Sequence, residues 1–264
     1  MARSKYINTF DTTAEYNNYI ESALPSFPNV GYDKEADKVN IRTESPNDYQ
    51  IWGTTTATAN FNIKLNNRDV EVTVDSDLGE FYITGWTGTL TSLANFMSGN
   101  KEITSIKKIA INTSNVTSMT GHGSGGSFQD CTNLKYINFG GCDLSNVTSF
   151  ALCFGGNNMN LQELDLSETN ISTSCTDIHY FIYGQKQLKS LNLNNCDFSN
   201  VNDQSSMFYG CDSLTDVYIN IEGTLMKLTN NLTSQGSNYI PSTATIHYNG
   251  VDYKWTGSAW TQQS

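Results

Sequence analysis

Two carboxylates, Glu163 and Asp165, stand two residues apart in the sequence Glu-Leu-Asp. If this stretch is a β-strand, both side chains lie on one face of it, about 6.5–7 Å apart. That separation overlaps the spacing of the two carboxylates in a glycosidase. The alternative is a solvated acidic pair, which we favour because no aromatic platform or pocket pattern accompanies it. The sequence therefore predicts no catalytic residues and no enzyme activity.

The histidines and cysteines also lack a catalytic or metal-binding arrangement. His122, His179 and His247 have no cysteine or acid at catalytic spacing, so we expect each to be structural or exposed. The six cysteines follow no C-x-x-C pattern and are Cys131, Cys142, Cys153, Cys175, Cys196 and Cys211. Several of them recur at equivalent points of a sequence repeat, which predicts small buried apolar side chains. Disulfides and metal ligation are the alternatives, and we predict neither a metal nor a cofactor.

The elements that position these residues come from a repeat with the apolar spacing L-x-x-L-x-L. Its five copies are 28, 27, 27 and 26 residues apart, a period typical of leucine-rich repeats, and they are Ile106-Ile109-Ile111, Leu134-Ile137-Phe139, Leu161-Leu164-Leu166, Leu188-Leu191-Leu193 and Leu214-Val217-Ile219. Phe128, Phe154, Phe181 and Phe208 keep the same period. A degenerate copy is expected near Leu90. The pattern predicts a solenoid of stacked parallel strands.

The polar positions between the apolar ones predict two exposed columns across the sheet. One column is Lys108, Tyr136, Glu163, Ser190 and Asp216, and the other is Ala110, Asn138, Asp165, Asn192 and Tyr218. Solenoids bind their partners on surfaces of this kind. The predicted binding residues are Tyr136, Asn138, Glu163, Asp165, Asn192, Asp216 and Tyr218. The alternative is a face that is simply solvated, or buried against a sister subunit.

Charge and hydropathy limit the partners. Fifteen basic and 26 acidic residues give a net charge of −11, which disfavours nucleic acid and anionic membranes. The start of the sequence shows no secretion signal, and no stretch is long and apolar enough to span a membrane.

The flanking segments predict β-rich covers for the solenoid. Residues 1–48 combine a capped short helix after Thr12 with a hairpin of Val30–Tyr32 and Lys38–Ile41. In residues 49–89, alternation predicts a second hairpin around the turn at 66–69 and a third strand at Phe81–Ile83. At the other end, Asn249-Gly250 predicts a type I′ turn in a hairpin that covers the last repeat.

The predicted fold class is therefore α+β and β-rich. It is a leucine-rich-repeat solenoid of about five copies with a hairpin-rich N-terminal module and a C-terminal hairpin cap. The predicted division is residues 1–48 as an attachment module, 49–89 as a β cap, 90–220 as repeats and 221–264 as the C-terminal cap.

Three sequence segments within the repeats resemble one known repeat family. Asp143–Phe150, Asp197–Val201 and Met207–Leu214 are similar to the BspA-type leucine-rich repeat, over about residues 90–220. Thr169–Ser174 and the glycine-rich insert at 121–127 depart from the family pattern. The resemblance implies a non-enzymatic surface adhesion protein.

A second resemblance concerns the beginning of the chain. Tyr6–Tyr16 and the segment from Leu24 to Val39 resemble the front of virion proteins of crAss-like bacteriophages of gut bacteria. This implies a virion structural protein, such as a head fibre or capsid decoration, that is made in the host cytoplasm without a signal peptide. Its partners would be other virion proteins, contacted through the N-terminal module, and a host-surface protein or glycan. A homo-oligomer is the expected state, and a bacterial cell-surface adhesin is the alternative function.

Overall fold

The computed structural model describes residues 89–101, 113–121, 126–139, 142–156 and 160–264 in full. Elsewhere it describes the backbone of eight strands. Seven of these strands lie before residue 89 and are β1 (Ile7–Phe10), β2 (Val30–Asp33), β3 (Lys38–Arg42), β4 (Gln50–Gly53), β5 (Thr58–Leu65), β6 (Arg68–Asp75) and β7 (Tyr82–Thr84). They form a five-stranded sheet in the order β1-β2-β3-β4-β7 and a two-stranded sheet of β5 and β6.

Both N-terminal hairpins predicted from alternation are present. β2 pairs antiparallel with β3, and β5 pairs antiparallel with β6 from Thr58–Asp75 to Leu65–Arg68. The third predicted strand is β7, but it pairs with β4 rather than with the second hairpin. β4 and β7 share a sheet with β1 to β3, and the division at 48/49 stays a prediction. The predicted short helix after Thr12 lies outside the described residues.

The apolar repeat forms a parallel β-solenoid, as predicted. Its sheet has the order β15-β14-β13-β12-β11-β10-β9-β8. The strands are β8 (Ser105–Ile106), β9 (Tyr136–Asn138), β10 (Glu163–Asp165), β11 (Ser190–Asn192), β12 (Asp216–Ile219), β13 (Thr245–Tyr248), β14 (Val251–Trp255) and β15 (Trp260–Gln262). β8 to β13 pair in parallel, and β14 and β15 are antiparallel. The central apolar residues Ile137, Leu164, Leu191 and Val217 are in register and buried.

The register of the first copy was predicted wrongly. Ile106, not Ile109, pairs with Ile137, and Ser105 pairs with Tyr136 in the place predicted for Lys108. Lys108 and Ala110 lie outside the described residues. A degenerate coil near Leu90 is confirmed, because Leu90 and Leu93 are buried and Ser92 bridges in parallel to Ser118 of the next coil.

The C-terminal hairpin is also confirmed. Tyr248 pairs with Val251, and the two turn residues Asn249 and Gly250 have φ of 50° and 81°, the positive values that a type I′ turn requires. Its first strand, β13, continues the parallel sheet as a sixth solenoid strand. The segment before it contains α1 (Glu222–Thr229), which buries Leu225 and Leu228. No helix in the described part of the chain meets the length and hydropathy of a membrane span.

A second row of contacts joins the coils outside the strands. We call it the bridge row, and it consists of Ser92, Ser118, Ser149, Asp177 and Asp203, each bridged in parallel to the next. In every coil the side-chain oxygen of this residue accepts the backbone N–H two positions later, for example Ser149 Oγ from Ala151 at 3.2 Å. Such short polar side chains stabilise turns of this type.

The core between these two rows is a continuous stack of apolar side chains. Phe154 is fully buried and contacts Phe128, Phe139 and Phe181, with ring centroids 5.2, 5.9 and 5.2 Å apart. All six cysteines are buried and unpaired, as the repeat phase predicted. Cys131 and Cys211 donate to carbonyls of the preceding coil, Met97 O at 3.0 Å and Ile182 O at 3.1 Å.

Candidate functional site

All seven predicted binding residues lie on one surface, formed by the side chains of β9 to β13 that alternate with the core. We call this surface the strand face. Tyr136, Glu163, Ser190 and Asp216 form one in-register column, and Asn138, Asp165, Asn192 and Tyr218 form the other. The register of both predicted columns is therefore confirmed for these four strands, whereas only Glu163 and Tyr218 are exposed and the other six residues are half-buried. Whether they bind a ligand stays a prediction.

The sixth strand extends both columns and brings residues that the sequence did not indicate. Thr245 pairs with Asp216, and His247 pairs with Tyr218. The Tyr218 and His247 rings stack, with centroids 4.5 Å apart and planes 17° from parallel. Tyr218 is 36% exposed, so its outer surface remains available to solvent. The strand face thus carries a stacked aromatic pair on β12 and β13.

His247 is also held by two carboxylates. Its Nε2 lies 2.9 Å from Asp216 Oδ1 and its Nδ1 lies 2.8 Å from Asp252 Oδ1. Partial burial opposes the charge on the imidazole, but the hydrogen bonds to Asp216 and Asp252 outweigh it and raise the pKa of His247. The bond to His247 in turn lowers the pKa of Asp216. The sequence predicts a structural or exposed histidine here. It does not indicate the two carboxylate partners, of which the cross-strand register supplies one and the hairpin the other.

The carboxylate pair Glu163 and Asp165 has a structural explanation on its Asp165 side. Asp165 Oδ1 accepts the N–H of Ser167 at 2.9 Å and so closes the turn after β10. In the next coil the Asn192 side-chain oxygen accepts the N–H of Asn194 at 3.2 Å. Because an amide performs the same role one coil further on, the turn does not require a carboxylic acid. Glu163 is exposed on the strand face.

Residues 125–222 match the model of a family described as a Mycoplasma protein of unknown function, DUF285. The matched region contains β9 to β12 and most of the strand face. No curated protein and no solved structure matches the chain. The chain is therefore similar to this family over residues 125–222 of its solenoid, and the family description assigns no activity.

The matched region contains one more cluster, at the end of the bridge row. Ligand atoms of Asp177, His179 and Asp203 all lie within 4.8 Å of one another. His179 Nδ1 is 2.7 Å from Asp177 Oδ1, and Asp177 Oδ2 accepts the Ser149 hydroxyl at 2.9 Å. The hydroxyl and N–H of Ser205 bond Asp203 Oδ1 at 2.6 and 2.9 Å and lower the pKa of Asp203.

Such a set could offer one nitrogen and two oxygens to a divalent cation. However, 2.7 Å is the separation of a hydrogen bond and is shorter than the roughly 3 Å between two ligands of one ion. The hydrogen bonds of these side chains already explain their placement. The sequence analysis expects a structural or exposed His179 and does not indicate these acidic partners. Asp177 is only two residues away, and the coil period brings Asp203, which is 26 residues beyond Asp177, beside both.

Proposed function

We propose that this chain is a non-enzymatic binding protein that contacts a host-surface protein or glycan through its strand face. Within that role it is a bacteriophage virion protein, a head fibre or similar capsid appendage, built on BspA-type leucine-rich repeats. The observation that supports binding is the strand face itself, with two columns held in register by parallel pairing. A surface fixed in this way loses little conformational entropy when a ligand binds.

The chemistry of the face favours a ligand rich in hydrogen-bond donors. Glu163 and Asp165 supply acceptors, and Asn138 and Asn192 supply both donors and acceptors. Tyr136 and Tyr218 add aromatic surface near the two ends of the described columns. Tyrosine and asparagine together are typical of adaptable binding surfaces. The net charge of −11 disfavours polyanions.

A binding experiment with the full chain tests this role. The fluorescently labelled protein is incubated with a panel of gut bacteria, and bound protein is measured by flow cytometry. A variant with Tyr136→Ala, Glu163→Gln and Asn192→Ala removes three strand-face groups without touching the buried core. We expect it to lose at least about 90% of the binding. Asn202→Ala, at an exposed position outside the strand face, serves as the matched control. Equal binding by wild type and the triple variant would reject the strand face as the binding surface.

The virion role is supported by the resemblance of residues 6–16 and 24–39 to the front of crAss-like virion proteins. In this role the N-terminal module attaches to other virion proteins, and the solenoid points outward as part of a homo-oligomer. Mass spectrometry of purified virions tests the virion role. Absence of this chain from the virion would reject that role. The repeat resemblance supports the alternative of a cell-surface adhesin. Antibody labelling of uninfected bacterial cells, but not of virions, would favour that alternative.

The non-enzymatic part of the proposal has its own test. The chain is incubated with a mixture of oligosaccharides, and the products are analysed by mass spectrometry. We expect no cleavage. Cleavage that disappears in Glu163→Gln would instead assign the carboxylate pair a catalytic role.

A further inference from the structure

A groove of about 820 Å³ lies beside the last full coil, outside the strand face. One wall contains Tyr183 and Tyr209, and the other is the segment 235–243, which follows α1. The hydrogen bond from Phe208 N to Ser237 O, 2.7 Å long, holds the two walls together. The volume lies in the range of about 300–1,000 Å³ that is typical of ligand sites.

The aromatic wall is built by the coil period. Tyr183 and Tyr209 stack with centroids 5.3 Å apart and planes 11° from parallel. Each precedes a glycine, Gly184 or Gly210, with φ of 75°. A Cβ on Gly210 would lie only 3.3 Å from Gly184 Cα, so these glycines let the two coils approach closely enough for the rings to stack.

The exposure of this wall is unusual for the described part of the chain. Tyr209 is 56% exposed, more than Tyr180 at 37% or Tyr218 at 36%, the other exposed large apolar residues described. Tyr180 lies edge-on to Tyr183 at 5.3 Å and extends the aromatic surface. Ordered aromatic surface left open to solvent marks binding sites.

The remaining lining is polar and nearly neutral. The opposite wall contributes the side chains of Gln235, Ser237, Ser242 and Thr243. One acid, Asp212, and one base, Lys186, complete the lining, and neither takes part in an ion pair described for this structure. The groove therefore combines flat aromatic rings with amide, hydroxyl and carboxylate groups.

We infer that this groove is a second binding site, specific for a neutral oligosaccharide. A sugar ring presents C–H groups on its face, which pack on tyrosine, and hydroxyls at its edge, which bond amide and carboxylate groups. A purely apolar ligand would gain nothing from the exposed Asp212 and Lys186 of the lining, and a polyanion would meet the repulsion of a chain with net charge −11. The site does not depend on the strand face or on the virion role.

Calorimetric titration of the full chain with neutral tetrasaccharides of glucose, mannose and galactose tests the inference, with tetragalacturonate as the acidic comparison. At least one neutral sugar is expected to bind with a Kd of about 0.1–1 mM, and tetragalacturonate at least about ten-fold more weakly. Tyr209→Ala is expected to raise the Kd of the neutral sugar by at least about five-fold. Tyr209→Phe keeps the ring, and its Kd is expected to stay within about two-fold of wild type.

Asn202→Ala, at an exposed position outside both the groove and the strand face, is the matched control and is expected to bind the sugar like wild type. Tyr218→Ala tests whether the strand face binds the sugar instead. Thermal melts verify that each variant is folded. Absence of saturable binding by every neutral sugar up to about 10 mM overturns the inference. Tight binding that is lost in Tyr218→Ala but retained in Tyr209→Ala also overturns it, while leaving the strand face as a binding surface.

Discussion

Tyr218 and His247 lie opposite each other on β12 and β13, and their rings stack with centroids 4.5 Å apart. The stack joins the last copy of the apolar repeat to the hairpin that covers it. Asp216 and Asp252 hold the edges of the same imidazole from β12 and β14. A protonated imidazole in this position gains from both carboxylates and from the tyrosine face. The junction is thus an electrostatic contact as well as an apolar one.

This arrangement predicts that His247 stabilises the fold more at low pH than at high pH. Its folded pKa is raised, so its contribution is fully present below the unfolded value of about 6.5 and is lost as pH rises through the folded pKa. The free energy of unfolding of wild type should exceed that of His247→Gln by about 0.5–1 kcal/mol at pH 6. The difference should shrink as pH rises through the folded pKa of His247. Urea unfolding at several pH values measures it.

The stabilisation from the His247–Asp216 pair is also lost at very low pH, where Asp216 becomes protonated. Because its pKa is lowered, its contribution is present above the unfolded value of about 3.9 and disappears as pH falls through the folded pKa. Proton NMR of the imidazole checks the assignment directly. A His247 pKa at or below that of a model peptide, or one unchanged in Asp216→Asn, would contradict the pairing.

Removal of one ring from the phenylalanine stack should be costly. Phe154 is fully buried and contacts three other phenylalanines, so Phe154→Ala leaves a cavity that neighbouring coils cannot fill. We expect a loss of about 3–5 kcal/mol in the free energy of unfolding. Tyr209→Ala, at an exposed position, should cost less than about 1 kcal/mol. A similar loss of unfolding free energy in the two variants would show that the phenylalanine stack contributes no special stability to the core.

The apolar period was sufficient to locate β9 to β12, because each of the four repeat copies that contain these strands has three apolar template residues that all become buried. It failed at both ends for physical reasons. Ile103, Ile106 and Ile109 are evenly three apart, so the spacing alone fits two registers. In the sixth coil Thr243 stands where Leu214 stands in the fifth, and it donates to Leu214 O at 3.2 Å instead of entering the core. Because this position is polar, the apolar repeat pattern did not detect the sixth coil.

The candidate sites were predictable only where they follow the strand alternation. The strand-face residues were found because alternation alone determines which side chains leave the core. The Asp177, His179 and Asp203 cluster and the stacked Tyr183 and Tyr209 depend on which residues of successive coils coincide. That correspondence changes with each insertion of one or two residues, so the sequence gives no local motif for it.

Asparagine side chains should contribute to stability by joining successive coils. Asn146 Nδ2 donates to Ser114 O at 2.7 Å, and Asn160 Nδ2 donates to Thr132 O at 2.6 Å. We expect Asn146→Ala to lower the free energy of unfolding by about 1 kcal/mol. Asn202→Ala is the matched control, because Asn202 is exposed and its described inter-coil bond uses the backbone N–H, which alanine keeps. Equal stability of Asn146→Ala and wild type would exclude the cross-link as a stabilising contact.

The buried thiols should be unreactive in the folded protein. Burial raises the pKa of Cys131, Cys175 and Cys211 to about 12, so hardly any thiolate forms at pH 8. Ellman's reagent at pH 8 is therefore expected to titrate fewer than about one thiol per native chain. It should titrate all six in guanidinium without reductant, since all six are unpaired. Ser258→Cys, at an exposed site, should add one fast thiol and so verify that the reagent works. Only two or four thiols in guanidinium would show that the repeat-phased cysteines form disulfides, contrary to their role as buried apolar residues.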